Sequence, residues 1–450
     1  YAGQGAWSYP VELTNSRIIG TAHNRRVVKS YGEIFIVLKR IAVTEVRLGM
    51  YIHELCGSWM DHPFWRARWL LHSEHDRQRI LKSNVTTLWI DTSKGQDTAQ
   101  GQASNTLEEV EVETEARLLA VDNTALPPLA GMTEELSRAL KLCARSKVAI
   151  VEMFNEARMG QAINLEHVAA LVEEVSDSVL RHPNALISLA RLKTSAEYTY
   201  MHSVAVCALM IALARQLGLS ADQVREAGLA GLLHDIGKVS IPDAILNKPD
   251  KLTDAEFSIM RSHPRAGGRM LLKSRQVSAL TLDVCLHHHE KVDGSGYPYR
   301  LVGEQISLFA RMGAVCDVYD AITSERPYKR GWDPAIAIRK MAEWKGHFDD
   351  QVFQAFVKSV GIYPVGALVR LESGRLGVIM EQHKSSLLTP MVKVFFSTRT
   401  KMPIAQELVD LSKLAGRDKI VGRESASDWG FKNIEELWSG LPASKRSHFD

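Results

Sequence analysis

An ordered series of imidazoles and acids runs through the centre of this sequence: His202, His234-Asp235, His263, His287-His288-His289 and Asp317. Imidazole and carboxylate together form the ligand set of Fe, Mn, Zn, Ni or Co, and cysteine does not recur with them. They outnumber the three or four groups that one ion commonly takes from protein, so two ions are the economical reading. His234 and Asp235 are neighbours, ~100° apart on a helix. They can serve one site only at that helix's end, and Gly237 follows as a helix stop requires. A carboxylate has two oxygens to share, so Asp235 is suited to bridge two cations. Two cations ~3.5–4 Å apart lower the pKa of a shared water towards ~7 and clamp a phosphate for in-line attack. That is the chemistry of phosphodiester hydrolysis.

Other polar residues fall into place around the series. Lys238, one helical turn from His234, is placed to neutralise phosphate charge, and its bland alternative is a solvated lysine favoured by the helix macrodipole. Asp320 lies three residues from Asp317 on the same helical face and is a reasonable partner for Lys238. Glu290 reads as a carboxylate that orients a ligand imidazole. Gly294, Gly296 and Pro298 make residues 293–298 a defined turn, directly after two ligands, so Gly296, Tyr297 and Pro298 should line the pocket. Tyr297 either stacks on a base or packs as structure. A lone histidine on an amphipathic helix is usually structural, and His287-His288-His289 alone would fit a solvated helix end. The surrounding text changes that reading.

It runs Tyr198-Thr199-Tyr200-Met201-His202-Ser203, His234-Asp235-Ile236-Gly237-Lys238, His263-Pro264, then His288-His289-Glu290 with Asp293-Gly294-Ser295-Gly296-Tyr297-Pro298. Asp317-Val318-Tyr319-Asp320-Ala321 and Arg326-Pro327-Tyr328-Lys329 close it. This combination resembles the HD-GYP family of HD phosphohydrolases over about residues 194–360. Residues 40–95, with Leu48-Gly49-Met50-Tyr51 and His62-Pro63-Phe64, look like the small domain of unknown function often found ahead of it.

The resemblance implies hydrolysis of the bacterial second messenger cyclic di-GMP, with a ribose 3′-oxygen leaving. It implies one metal on His202, His234, Asp235 and Asp317, and a second on His263, His288 and His289, with Asp235 shared. His287 falls outside the family pattern. Some members hold a third metal through a Glu four residues before the first His; here that place is Tyr198, so two ions are expected, Fe or Mn first, then Ni, Co or Zn. Arg326 and Lys329 would neutralise the second phosphate. The alternatives are another HD phosphohydrolase, a cyclic GMP-AMP phosphodiesterase, or a non-catalytic cyclic di-GMP receptor. Besides the nucleotide, diguanylate cyclases or other signalling proteins are candidate partners, and a homodimer stays open.

These residues need elements to carry them. The chain has 450 residues, about three times the ~150 of a typical domain. With 55 Lys and Arg against 52 Asp and Glu, the net charge of +3 gives no support for a nucleic-acid polymer as partner. The five scattered cysteines read as reduced thiols of a cytoplasmic protein. No apolar run approaches the ~20 residues of a membrane helix, and the start shows no signal-peptide pattern.

Periodicity predicts an irregular extension over 1–39, a small α+β domain over 40–95 that is a candidate for regulation, and a polar linker over 96–132. Helical periodicity then dominates from 133 to about 360, which the resemblance divides into a lead-in over 133–193 and the catalytic domain over 194–362. A β extension over 363–410 and a polar tail over 411–450 complete the chain. Helices fit 202–217, 221–235, 254–262, 264–272, 278–289, 306–323 and 334–345. The fold class is mainly α: an HD-type helical bundle, preceded by the α+β domain and followed by a short antiparallel β extension.

Overall fold

The computed structural model describes residues 38–57, 68–99, 104–121, 129–192, 198–248, 252–274, 277–324, 331–383, 386–414 and 417–441. The expected extension up to residue 37, the His62-Pro63-Phe64 stretch, and the Arg326 and Lys329 cations lie outside these residues.

The small leading domain is a five-stranded antiparallel sheet. In chain order its strands are Leu38–Ala42, Tyr51–Leu55, Trp69–Leu70, Thr87–Asp91 and Ser104–Thr106, arranged third, second, fourth, first, fifth. Ile41, Ile52, Leu88 and Ile90 form its core, and helix Glu74–Lys82 adds Ile80. Ser73 starts that helix by accepting the Asp76 N–H at 3.3 Å.

The expected linker over 96–132 needs correction. It supplies the fifth strand and then helix Leu107–Leu119, opened by a reciprocal capping box between Thr106 and Glu109. Val110, Thr114 and Leu118 form the buried stripe of that helix. Its acids meet cations of the following domain: Glu111 with Arg339 at 2.6 Å, Glu113 with Lys345 at 2.5 Å and Glu115 with Arg423 at 2.9 Å. The acidic composition that suggests a solvated spacer is a docking face.

Helices Met132–Arg158 and Leu165–Arg181 lead into the bundle. Fully buried Glu135 joins them, taking both Nε and Nη2 of Arg181 at 2.7 and 2.9 Å and the Ser178 hydroxyl at 2.7 Å. Helix Tyr198–Gln216 is buried along its whole 204–214 run, so its all-round apolarity marks the bundle's centre. No described helix is long and apolar enough to cross a membrane. Ala221–Leu233 and Leu308–Thr323 pack against Tyr198–Gln216, while Ala279–His287 packs on Ala221–Leu233 and His263–Lys273 on Ala279–His287. Pro334–Glu343 and Asp350–Val360 follow, and the last of these was not anticipated.

The β extension is larger than expected. Strands Leu368–Leu371, Arg375–His383, Ser386–Ser397, Met402–Asp410 and Ile420–Glu424 form a second antiparallel sheet, with the last strand beside the first. The tail therefore completes the sheet, and its helix Glu435–Ser439 buries Trp438. All five cysteines are free thiols, four of them buried.

Candidate metal centre

Each ligand-type residue sits at an element end or on the inner face of a helix. His202 lies early in Tyr198–Gln216, and Asp317 lies mid-way along Leu308–Thr323. His234 is the C-cap of Ala221–Leu233, and Asp235 precedes the short 3-10 turn Ile236–Ser240. His263 begins His263–Lys273, and His288 caps Ala279–His287 with His289 next. All seven are buried.

The helix does end at His234, but Gly237 serves packing and is not a stop. A Cβ there would lie 2.0 Å from the His263 carbonyl oxygen and 2.4 Å from the Gly267 nitrogen. Only glycine lets this turn approach the helix that carries His263.

The side chains form two groups with Asp235 in both: His202, His234, Asp235 and Asp317, and Asp235, His263, His288 and His289. Within each group the ligand atoms lie within 4.8 Å of one another. Asp235 Oδ2 is 3.3 Å from His202 Nε2 and 3.2 Å from His234 Nε2. Its Oδ1 is 3.2 Å from His263 Nε2 and 3.7 Å from His288 Nε2. Asp317 Oδ1 is 3.1 Å from His202 Nε2, and its Oδ2 is 3.6 Å from His289 Nδ1.

The outer ring nitrogens reveal what the inner ones are for. Nδ1 of His234 donates to the Gly231 carbonyl and that of His263 to the Met260 carbonyl, both at 2.8 Å. His288 Nδ1 lies 3.1 Å from the carbonyls of Val284 and Cys285. A carbonyl can only accept, so these Nδ1 atoms carry the protons and a neutral ring bares its Nε2 lone pair inward. His263 and His288 then point two lone pairs at each other across 3.4 Å. That arrangement is repulsive without a cation between them. His234 Nε2, His289 Nε2, Asp235 Oδ1 and Asp317 Oδ2 are also buried without a hydrogen-bond partner. The donor set fits divalent metal.

The electrostatics divide the two groups. Burial opposes charge on His234, but Asp235 and Asp317 beside it push the imidazole up to about 10. Burial opposes charge on His202 as well, and three carboxylates raise it. His288 is pushed down to about 4 by burial, reinforced by His234, and burial holds His289 well below its usual range. Burial works against ionised Asp235 and Asp317, yet Lys238 and His234 around the first and the His202 and His234 imidazoles beside the second hold both well below the carboxylate range.

Without a metal, His234 therefore carries a second ring proton at pH 7, which an incoming ion must displace, whereas burial keeps His288 and His289 neutral. Loading with Mn²⁺ should release the His234 proton and weaken as pH falls from 8 to 6. A pH electrode in weakly buffered solution reads the release directly.

Several expected roles change. Asp320 does not serve Lys238: its Oδ2 is 2.7 Å from His202 Nδ1, and the Ser324 hydroxyl lies 3.3 Å from its Oδ1. Lys238 pairs with Asp235 Oδ2 instead. Asp320 is thus a positioning residue that fixes the His202 tautomer. Asp320→Asn should weaken metal retention by about 10–100-fold, measured by competition with a chelator.

Glu290 does not orient an imidazole either. Its buried carboxylate accepts the backbone N–H groups of Tyr299, Arg300 and Leu301 at 2.6, 3.2 and 3.1 Å and shapes the loop. Gly296 is needed because a Cβ would lie 2.4 Å from the Lys291 nitrogen. The Pro298 carbonyl accepts from Arg265 Nη2 at 3.2 Å.

Tyr297 stacks on His289 with centroids 4.7 Å apart and is 7% exposed, so it offers no open face to a base. His287 stands apart, bonded to Asp283 at 2.7 Å. The side chain at 198 is outside the description. Arg261 escaped the sequence reading; its guanidinium lies 4.5 Å from the Tyr297 centroid. The only signal was its place two residues before His263.

Comparison with known proteins agrees with this layout. Residues 175–352 match the HD domain, and residues 38–168 match a domain of unknown function, DUF3391. A protein of Pseudomonas aeruginosa named cyclic di-GMP phosphodiesterase is 63% identical over 417 residues, covering 92% of this chain and 99% of that one. A Xanthomonas campestris cyclic di-GMP phosphodiesterase response regulator is 46% identical over 151 residues, 32% of this chain and 39% of its own. A Vibrio cholerae 3′3′-cGAMP-specific phosphodiesterase is 34% identical over 230 residues, 51% of this chain and 42% of its own. With its leading domain and its HD motifs shared almost end to end with such a relative, this chain belongs to the HD-GYP family.

Proposed function

We propose that this chain is a metal-dependent phosphodiesterase that hydrolyses cyclic di-GMP to pGpG, GMP or both, lowering that messenger. One observation carries the reading of the site. Asp235 turns one oxygen to His202 and His234 and the other to His263 and His288. A carboxylate shared between two sets of imidazoles suits a pair of divalent cations, Fe or Mn foremost, with Ni, Co or Zn as alternatives. The substrate follows from the near full-length likeness to a cyclic di-GMP phosphodiesterase.

Bound cations would supply charge for the phosphate and activation of water. The chain's own groups do the rest. Asp320 and the backbone carbonyls hold the imidazoles with their lone pairs inward. Tyr297 braces His289, and Glu290 ties down the loop beside it. Lys238, with a side chain about one-fifth exposed, is the cation able to reach a phosphate from Asp235's edge.

The deciding experiment is chromatography of cyclic di-GMP after incubation with anaerobically purified protein, with metal content measured on the same sample. Formation of pGpG or GMP is expected. Tight binding without product would replace the enzyme by a receptor.

A further inference from the structure

We infer that Arg261 reads a guanine base of the cyclic dinucleotide and is a specificity-determining residue of this site; the inference rests on the substrate class proposed above. Arg261 follows helix Asp254–Met260 and stands two residues before ligand His263. Its guanidinium lies 4.5 Å from the Tyr297 centroid and 5.6 Å from that of Phe257. Tyr297 in turn stacks on His289. A chain of flat groups thus runs outward from a metal-ligand imidazole to a half-buried arginine.

The contrast with Arg265, one turn further on, defines the role. Arg265 also lies over a ring, Tyr299 at 5.0 Å, but spends a donor on the Pro298 carbonyl. That arginine is a brace. Among the described residues the Arg261 guanidinium makes no hydrogen bond and no ion pair, so its five N–H donors are unspent while two aromatic rings lie beside it. A guanidinium is planar and presents its donors at its edge, as a fork.

The acceptor that fits is planar and two-pronged. Guanine offers O6 and N7 side by side, and a bidentate arginine is their best partner. Adenine places an amino group where guanine has O6, so two donors would face each other. The scissile phosphate belongs at the metal centre, whereas Arg261 sits one aromatic ring further out. That is where a base projecting from the phosphodiester ring arrives.

The test uses full-length, metal-loaded protein and two measurements: KM for cyclic di-GMP, and Ki of cyclic di-AMP as its competitor. Arg261→Ala should raise the KM about tenfold, leave the Ki of cyclic di-AMP within about twofold and keep both metal content and kcat near wild type. Arg261→Lys keeps the charge but loses the fork, so it should not restore the KM. The inference is overturned if KM and Ki rise together or lysine rescues, which would make Arg261 a general anion contact. It is equally overturned if metal content and kcat fall while KM holds, which would make it a loop brace, or if nothing changes. Wild-type protein that holds metal yet leaves cyclic di-GMP intact would be a different failure, that of the proposed function itself.

Discussion

Asp235→Ala should yield folded protein that retains neither metal nor activity, with kcat/KM down more than about 10³-fold, the several kcal/mol of charge stabilisation that bound cations supply. The reason is geometric. Asp235 turns an oxygen to two imidazoles of each set, Oδ2 to His202 and His234 and Oδ1 to His263 and His288, whereas Asp317 reaches the second set only at His289, 3.6 Å away. Removing Asp235 leaves Asp317 as the one carboxylate among five imidazoles, and none at all beside His263 and His288. Asp235→Asn keeps the volume but turns an amide N–H toward one half, so it should fail as well, losing that half's ion first. Elemental analysis and circular dichroism on the same samples separate metal loss from unfolding. A full complement of two ions in either variant would disprove the shared carboxylate.

The ligands were readable from sequence because metal chemistry admits few residue types, and their order with the intervening glycines is itself informative. Their partners were not. Spacing places Asp320 on the face of Asp317 but cannot say which side chain on another helix will meet it, and His202 arrives from over a hundred positions away. Glu290 adjoins two ligands, yet its bonds go to the backbone N–H groups of a loop that folds back on it.

The errors of organisation share another cause. Helix Leu107–Leu119 is acidic because its partners Arg339, Lys345 and Arg423 lie far along the chain, and local composition alone reads as a solvated spacer. The last strand, Ile420–Glu424, is short and only partly buried, so it lacks a strong alternating pattern. Arg261 was overlooked because a surface arginine is ordinary until the ring beneath it is seen to stack on a ligand.

Lys238→Met separates two roles that the geometry gives to one ammonium. Lys238 lies against Asp235 Oδ2, the same oxygen that faces His202 and His234, so it would compete with a metal for that carboxylate. Methionine removes the competitor at similar length, and a divalent ion should then bind at least as tightly as in the wild type. The phosphate, however, loses a cation beside the centre, and kcat/KM for cyclic di-GMP should drop about 10²–10³-fold. Metal affinity and rate should therefore move in opposite directions, which neither unfolding nor ligand loss can produce. If affinity falls with the rate, the lysine's work is to support Asp235. If turnover is unchanged, the phosphate is neutralised by other cations.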